Sequence, residues 1–135
     1  MGFIVTITQM PTYLHAVITG ENGAENVRNY LKQIQRECKT RKCLRVLIEE
    51  RLEGPRLGIV DVYRIVSEQT ARALGQIEVI AYVDVNAEGD LMKFAEDVAV
   101  NRFLRVAVFS SVPDAELWLQ YLPSKSDVWS GPSLI

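Results

Sequence analysis

Arg45-Val46-Leu47-Ile48-Glu49 carries apolar residues on consecutive positions. Glu49-Glu50-Arg51-Leu52-Glu53-Gly54-Pro55-Arg56-Leu57-Gly58 follows it, and a helical pattern opens at Ile59. A strand whose centre shows no polar alternation is buried on both faces, as an inner strand of a helix-covered sheet is. Strand, loop and helix make the unit that repeats in α/β domains. The loop leaving the carboxyl end of such a strand is the place where ligands bind in open parallel sheets. Over 59–74 the spacing predicts a helix with Val62, Ile65, Val66 and Ala73 inward, stopped by Gly75.

The rest of the chain repeats the unit. Phe3–Thr8 and Tyr13–Thr19 read as two β-rich runs broken by Met10-Pro11-Thr12, an antiparallel pair at the start of the sheet. Asn22 is read as the N-cap of a first helix, with Glu25 three residues on. That helix carries Val27, Leu31, Ile34 and Cys38 on its apolar stripe and basic residues at its end. Glu78–Val83 is a fourth strand, and a third helix runs from Asp90 to Arg102 on Leu91, Phe94, Ala95, Val98 and Ala99. Arg105–Phe109 is the fifth strand. Ser111 caps a last helix, for which Leu117, Trp118, Tyr121 and Leu122 are the expected apolar side. The order β-β-α-β-α-β-α-β-α predicts an α/β fold: a five-stranded, mostly parallel sheet with an antiparallel N-terminal edge strand, and four helices. One domain over 1–122 and a tail over 123–135 account for the 135 residues.

Composition excludes several classes of function. A net charge of -2, with no Lys/Arg run of five, gives no general grip on nucleic acid. No apolar run approaches the ~20 residues that span a bilayer, so stable membrane insertion is not expected. The start Met1-Gly2-Phe3-Ile4 lacks a charged leader region, and the cytoplasm is the expected location. Cys38 and Cys43 are too few ligands for a metal, and the single histidine, His15, lies mid-strand; two reduced thiols are the reading. Neither a metal nor a cofactor is expected.

The carboxyl ends of the parallel strands gather the candidate residues on one edge. Glu49, Glu50, Arg51, Glu53, Arg56 and Asp61 come from the first loop and the helix after it, and Asp84, Asn86 and Glu88 from the second loop. Asp84-x-Asn86-x-Glu88-Gly89 imitates the opening of a calcium loop, but its twelfth position is Ala95 and no helix precedes it. No Gly-rich phosphate cradle is present. Glu50 with Arg51, and Glu53 with Arg56, are expected to pair in water. Glu49 and Glu50 are strand neighbours that point to opposite faces, so they make no catalytic dyad. Without a nucleophile beside His15 no enzyme is expected.

The element order, with Arg45-Val-Leu-Ile-Glu-Glu50, Ala81-Tyr-Val-Asp-Val85 and Pro113-Asp-Ala-Glu-Leu-Trp-Leu119, resembles the STAS fold of bacterial anti-sigma-factor antagonists. The similarity is to its SpoIIAA-like branch, which has been grouped with CRAL-TRIO-like lipid-binding domains. In the antagonists, a phosphorylatable serine at the turn into the second helix controls partner binding. The Asp-Ser-Ser-Gly signature is absent here, and no Ser or Thr lies between Thr40 and Ser67. Asp61 stands near that turn as a permanent negative charge that suits a helix N-terminus.

The resemblance implies a non-enzymatic regulatory module that binds a protein partner through the first loop. It also implies an alternative, a carrier for a small apolar molecule or lipid, with Val62, Ile65, Phe94 and Val98 around an internal pocket. Helices this compact are expected to leave little room for one. Val128, Trp129, Leu134 and Ile135 make the tail apolar enough to contribute to a homodimer.

Overall fold

The computed structural model describes residues 2–84, 90–101 and 104–121, and the side chains of all of these except 90–92. Its elements are β1 (Phe3–Gln9), β2 (Leu14–Glu21), α1 (Ala24–Arg41), β3 (Arg45–Glu53), α2 (Ile59–Ala73), β4 (Val79–Asp84), α3 (Asp90–Val100), β5 (Arg105–Phe109) and α4 (Val112–Tyr121). The strands lie in sequence order across one sheet. β1 runs antiparallel to β2, and β2 to β5 are parallel. This is the α/β fold expected, a five-stranded mixed sheet with four helices.

Strand order fixes which face each helix covers. Each parallel crossover steps one strand in the same direction, so right-handed connections put successive helices on one face. α1 and α2 close there over Leu14, Ile18, Val46 and Ile48, and α3 packs against α2 and β5. α4 follows the last strand and folds back over the other face, where Ala115 and Leu119 meet Leu47, Val79, Ala81 and Val83. Two cores result, and β3 feeds both. Each of its fully buried Val, Leu and Ile side chains is worth roughly 1.5–3 kcal/mol relative to exposure. Among the described residues no helix is long and apolar enough to cross a membrane.

The expected β3 was too short. Glu49–Glu53 is strand, held by the register Val17↔Glu49 to Glu21↔Glu53, so the loop is only residues 54–58. Its polar composition reads as loop, but pairing with β2 decides it. The expected cap of α1 is also displaced. Gly23 takes the N-cap position with no side-chain bond, and the main-chain N–H of Asn22 donates to Glu53 O at 2.7 Å. On α4 the buried residues are Ala115 and Leu119, with Trp118 against Phe109 at 5.6 Å between ring centroids. Leu117 and Tyr121 are exposed instead. An i, i+4 pair with an alanine lets the helix approach the sheet closely, which the bulkier stripe would not. Leu122 and the tail lie outside the described residues.

Both cysteines are free thiols. Cys38 is buried, and burial first, then Cys43 and Glu37, push it up to about 12, so it is protonated at neutral pH. Cys43 Sγ donates to Arg45 O at 3.4 Å.

Candidate functional site

Between the three helices and the sheet lies a cavity of about 140 Å³. Val27, Leu31 and Ile34 of α1, Val62, Ile65 and Val66 of α2, and Ile48, Ile80 and Val106 of the sheet make its wall mostly apolar. Its room comes from small residues: α2 and α3 offer Ala73, Ala95 and Ala99 where larger side chains would have met the sheet. Helices this compact therefore do leave a space. An apolar cavity of about 150 Å³ is large enough for benzene.

One end of the wall is polar. On β3 the side chains of Ile48, Glu50 and Leu52 share the face toward the helices, and period two carries Glu50 into the cavity wall. The parallel register places Asp84 beside it. Two acids side by side repel, and each is relieved differently. Arg56 Nη2 donates to Asp84 Oδ2 at 2.6 Å, which closes the loop over the strand ends. Glu50 Oε2 instead meets the hydroxyls of Tyr30 and Tyr82, which also meet each other.

Both tyrosine hydroxyls donate to Glu50 Oε2. Burial is the largest influence on the Glu50 carboxyl and pushes it above its ordinary range. The two tyrosines oppose that rise, Asp84 adds to it and Arg56 opposes it. Burial first, and Glu50 second, push Tyr30 and Tyr82 well above ordinary phenols. Glu50 is thus a buried acid that holds its proton beyond the pH at which a free glutamate loses it.

This has a measurable consequence. Between the ordinary glutamate value, about 4.3, and the higher folded value, the native chain binds more protons than the unfolded chain. Stability from this group is therefore present at low pH and is lost as pH rises through that window. Urea unfolding between pH 4 and 8 should show wild type losing stability relative to Glu50→Gln by up to about 1.4 kcal/mol per pH unit, the slope for one proton. Parallel profiles for the two proteins would show that Glu50 is ionised in the fold as it is in water.

The structure sorts the other expected site residues. Glu49 lies on the opposite face from Glu50, as period two requires. There its Oε1 meets His15 Nε2 at 2.9 Å and its Oε2 accepts from Arg51 Nε at 2.5 Å. The expected Glu50–Arg51 pair is therefore replaced by Glu49–Arg51, since residues two apart on a strand share a face. The expected Glu53–Arg56 pair is replaced by Asp84–Arg56. Glu53 is exposed, and Asp61 sits half-buried in the first turn of α2. Asn86 and Glu88 lie outside the described residues.

Of the expected pocket residues, Val62 and Ile65 are in the wall. α3 contributes Ala95, Glu96 and Ala99 to it in place of Phe94 and Val98. Val98 is buried in the packing, and the Phe94 ring lies 6.4 Å from that of Tyr63.

Tyr30, Tyr82 and Gln69 are among the residues of the site that the sequence did not point to. The signal for the tyrosines was present. Tyr30 falls between Val27 and Ile34 at helical spacing, and Tyr82 alternates with Ile80. No protein-family model matches the chain, and no curated protein matches it in sequence.

Proposed function

We propose that this chain is a non-enzymatic binding module that takes a small, largely apolar molecule between α1–α3 and the sheet. The cavity carries this reading: an apolar space of about 140 Å³ that ends on Glu50, Tyr82 and Arg56, at the strand edge where α/β domains bind ligands. The CRAL-TRIO-like resemblance supports it. Size narrows it, since room for a single ring or a short chain excludes a whole long-chain lipid. The charged groups of the polar end are spent on each other, which favours binding over catalysis.

Ethylbenzene tests the reading. At ten times its Kd it should stabilise the protein by about 1.4 kcal/mol, a rise of a few degrees in Tm. Val66→Phe, which fills the cavity from α2, should remove that rise. No shift in the wild type up to the solubility of ethylbenzene would refute the reading.

A second reading has its own observation. Ile59 and Val60 at the start of α2 are 58% and 62% exposed, Tyr63 one turn on is 47% exposed, and Glu53 at the end of β3 is exposed as well. A regulatory module of the STAS type would meet its protein partner there. Glu53→Lys should weaken capture of that partner and leave ethylbenzene binding unchanged.

A further inference from the structure

We propose that the natural ligand of this cavity carries a hydrogen-bond acceptor, a carbonyl or ether oxygen, that is read by the side-chain amide of Gln69. The inference rests on the cavity being a ligand site and adds what kind of ligand it takes. Among the described residues, two buried side-chain polar atoms have no partner, Ser67 Oγ and Gln69 Nε2. Of those two residues only Gln69 belongs to the cavity wall.

The orientation of this amide follows from its neighbours. Gln35 Nε2 donates to the main-chain oxygen of Gln69 at 3.2 Å and to Gln69 Oε1 at the same distance. A main-chain carbonyl can only accept, so the Gln35 atom facing it is the nitrogen. The Gln69 atom facing that nitrogen must then be its oxygen. Turning the Gln69 amide over would set two N–H groups against each other. Its Nε2 is therefore committed to the other direction, with two hydrogens unspent.

Nothing in the packing calls for those hydrogens. On α2, Gln69 continues the inward series of Ile65 and Ala73 at i, i+4 and i+8, where an aliphatic side chain would fill the wall. The bond to Gln35 uses only the oxygen. A buried amide donor without a partner is a liability that proteins rarely leave in place. The charged groups of the wall are engaged: Glu50 by the tyrosines, Arg56 by Asp84, and Glu96 by Lys93 and the Val108 N–H. Gln69 Nε2 is buried there without a partner.

Position also defines the shape of the ligand. α2 starts at the carboxyl edge of β3 and returns toward the amino edge of β4. Gln69 is ten residues past Ile59, about 15 Å along the helix. Within the wall, Gln69 therefore lies toward the amino side of the strands, whereas Glu50 and Arg56 lie at their carboxyl edge. A ligand with an apolar body and its acceptor toward the C-terminus of α2 meets Gln69.

A matched pair of probes decides the matter. Ethylbenzene and acetophenone have nearly the same shape, and only acetophenone has an acceptor. Kd for each is measured by calorimetry on the full chain, wild type and Gln69→Leu. Loss of the donor should weaken acetophenone about tenfold, as expected for one buried amide bond, and leave ethylbenzene unchanged or tighter. If both probes bind and Gln69→Leu leaves their ratio unmoved, the acceptor inference falls and the cavity reading stands. If neither binds the wild type, both fall. Should Gln69→Leu not fold, the carbonyl stretch of bound acetophenone in the wild type replaces it. A shift to lower frequency than in hydrocarbon solvent supports the hydrogen bond, and an unshifted band overturns it.

Discussion

Gly20→Ala should lower stability by about 2–4 kcal/mol, more than a surface strand position normally allows. Gly20 sits in β2 opposite Phe3, with φ at 132°, in a region that side-chain-bearing residues rarely adopt. A Cβ there would lie 2.5 Å from Gly2 O and 2.7 Å from Phe3 Cα. Both are backbone atoms of the neighbouring strand and its approach, so no rotamer change relieves the contact. β1 would have to move off β2, and with it Phe3, Val5 and Ile7, which pack against the core.

Gly54→Ala separates the two causes. Gly54 has φ at 99°, but a Cβ added there would meet nothing within 4 Å, so the substitution carries backbone strain alone, about 1–2 kcal/mol. Equal losses at the two sites, by urea unfolding, would show that the close approach of β1 contributes nothing.

The sheet was legible because burial leaves a local record. Val46, Leu47 and Ile48 are consecutive and apolar, and all three are inside, one face against α1–α3 and the other against α4. The opposite directions of Glu49 and Glu50 were legible for the same reason. What failed had partners distant in sequence. Arg56 is exposed and near Glu53, yet it reaches Asp84, 28 residues on, because the parallel register brings the ends of β3 and β4 together. Glu50–Glu53 looked like a loop because the partner that makes it strand, β2, lies on the far side of α1 in the chain.

The cavity was illegible for a different reason. Periodicity reports which side of a helix faces the sheet and says nothing of the gap between them. That gap depends on how small residues on α2 and α3 fall opposite large ones on the strands, a property of the packed layers. Gln69 shows the limit most clearly. In the sequence it is one more polar residue on a helix; only its bond to Gln35, from a helix one crossover earlier, shows that half of its amide is left over.

Tyr30→Ala should cost about 3–5 kcal/mol, the range for deleting a buried aromatic ring, while Tyr30→Phe should cost about 1–2 kcal/mol. The ring is fully buried, meets Phe3 edge-on at 6.3 Å between centroids, and belongs to the core that α1 closes. The alanine variant loses this packing together with the hydroxyl. The phenylalanine variant loses only the hydroxyl, and Glu50 keeps Tyr82 as a partner. Because the hydroxyl donates to the carboxyl, the two are not independent contributors. The cycle of Tyr30→Phe and Glu50→Gln, measured by urea unfolding at pH 7, should therefore give a coupling of at least about 0.5 kcal/mol. Strict additivity would mean that the contacts seen around Glu50 do not act as a unit. A phenylalanine variant as unstable as the alanine one would instead make the hydroxyl, and not the ring, what α1 depends on.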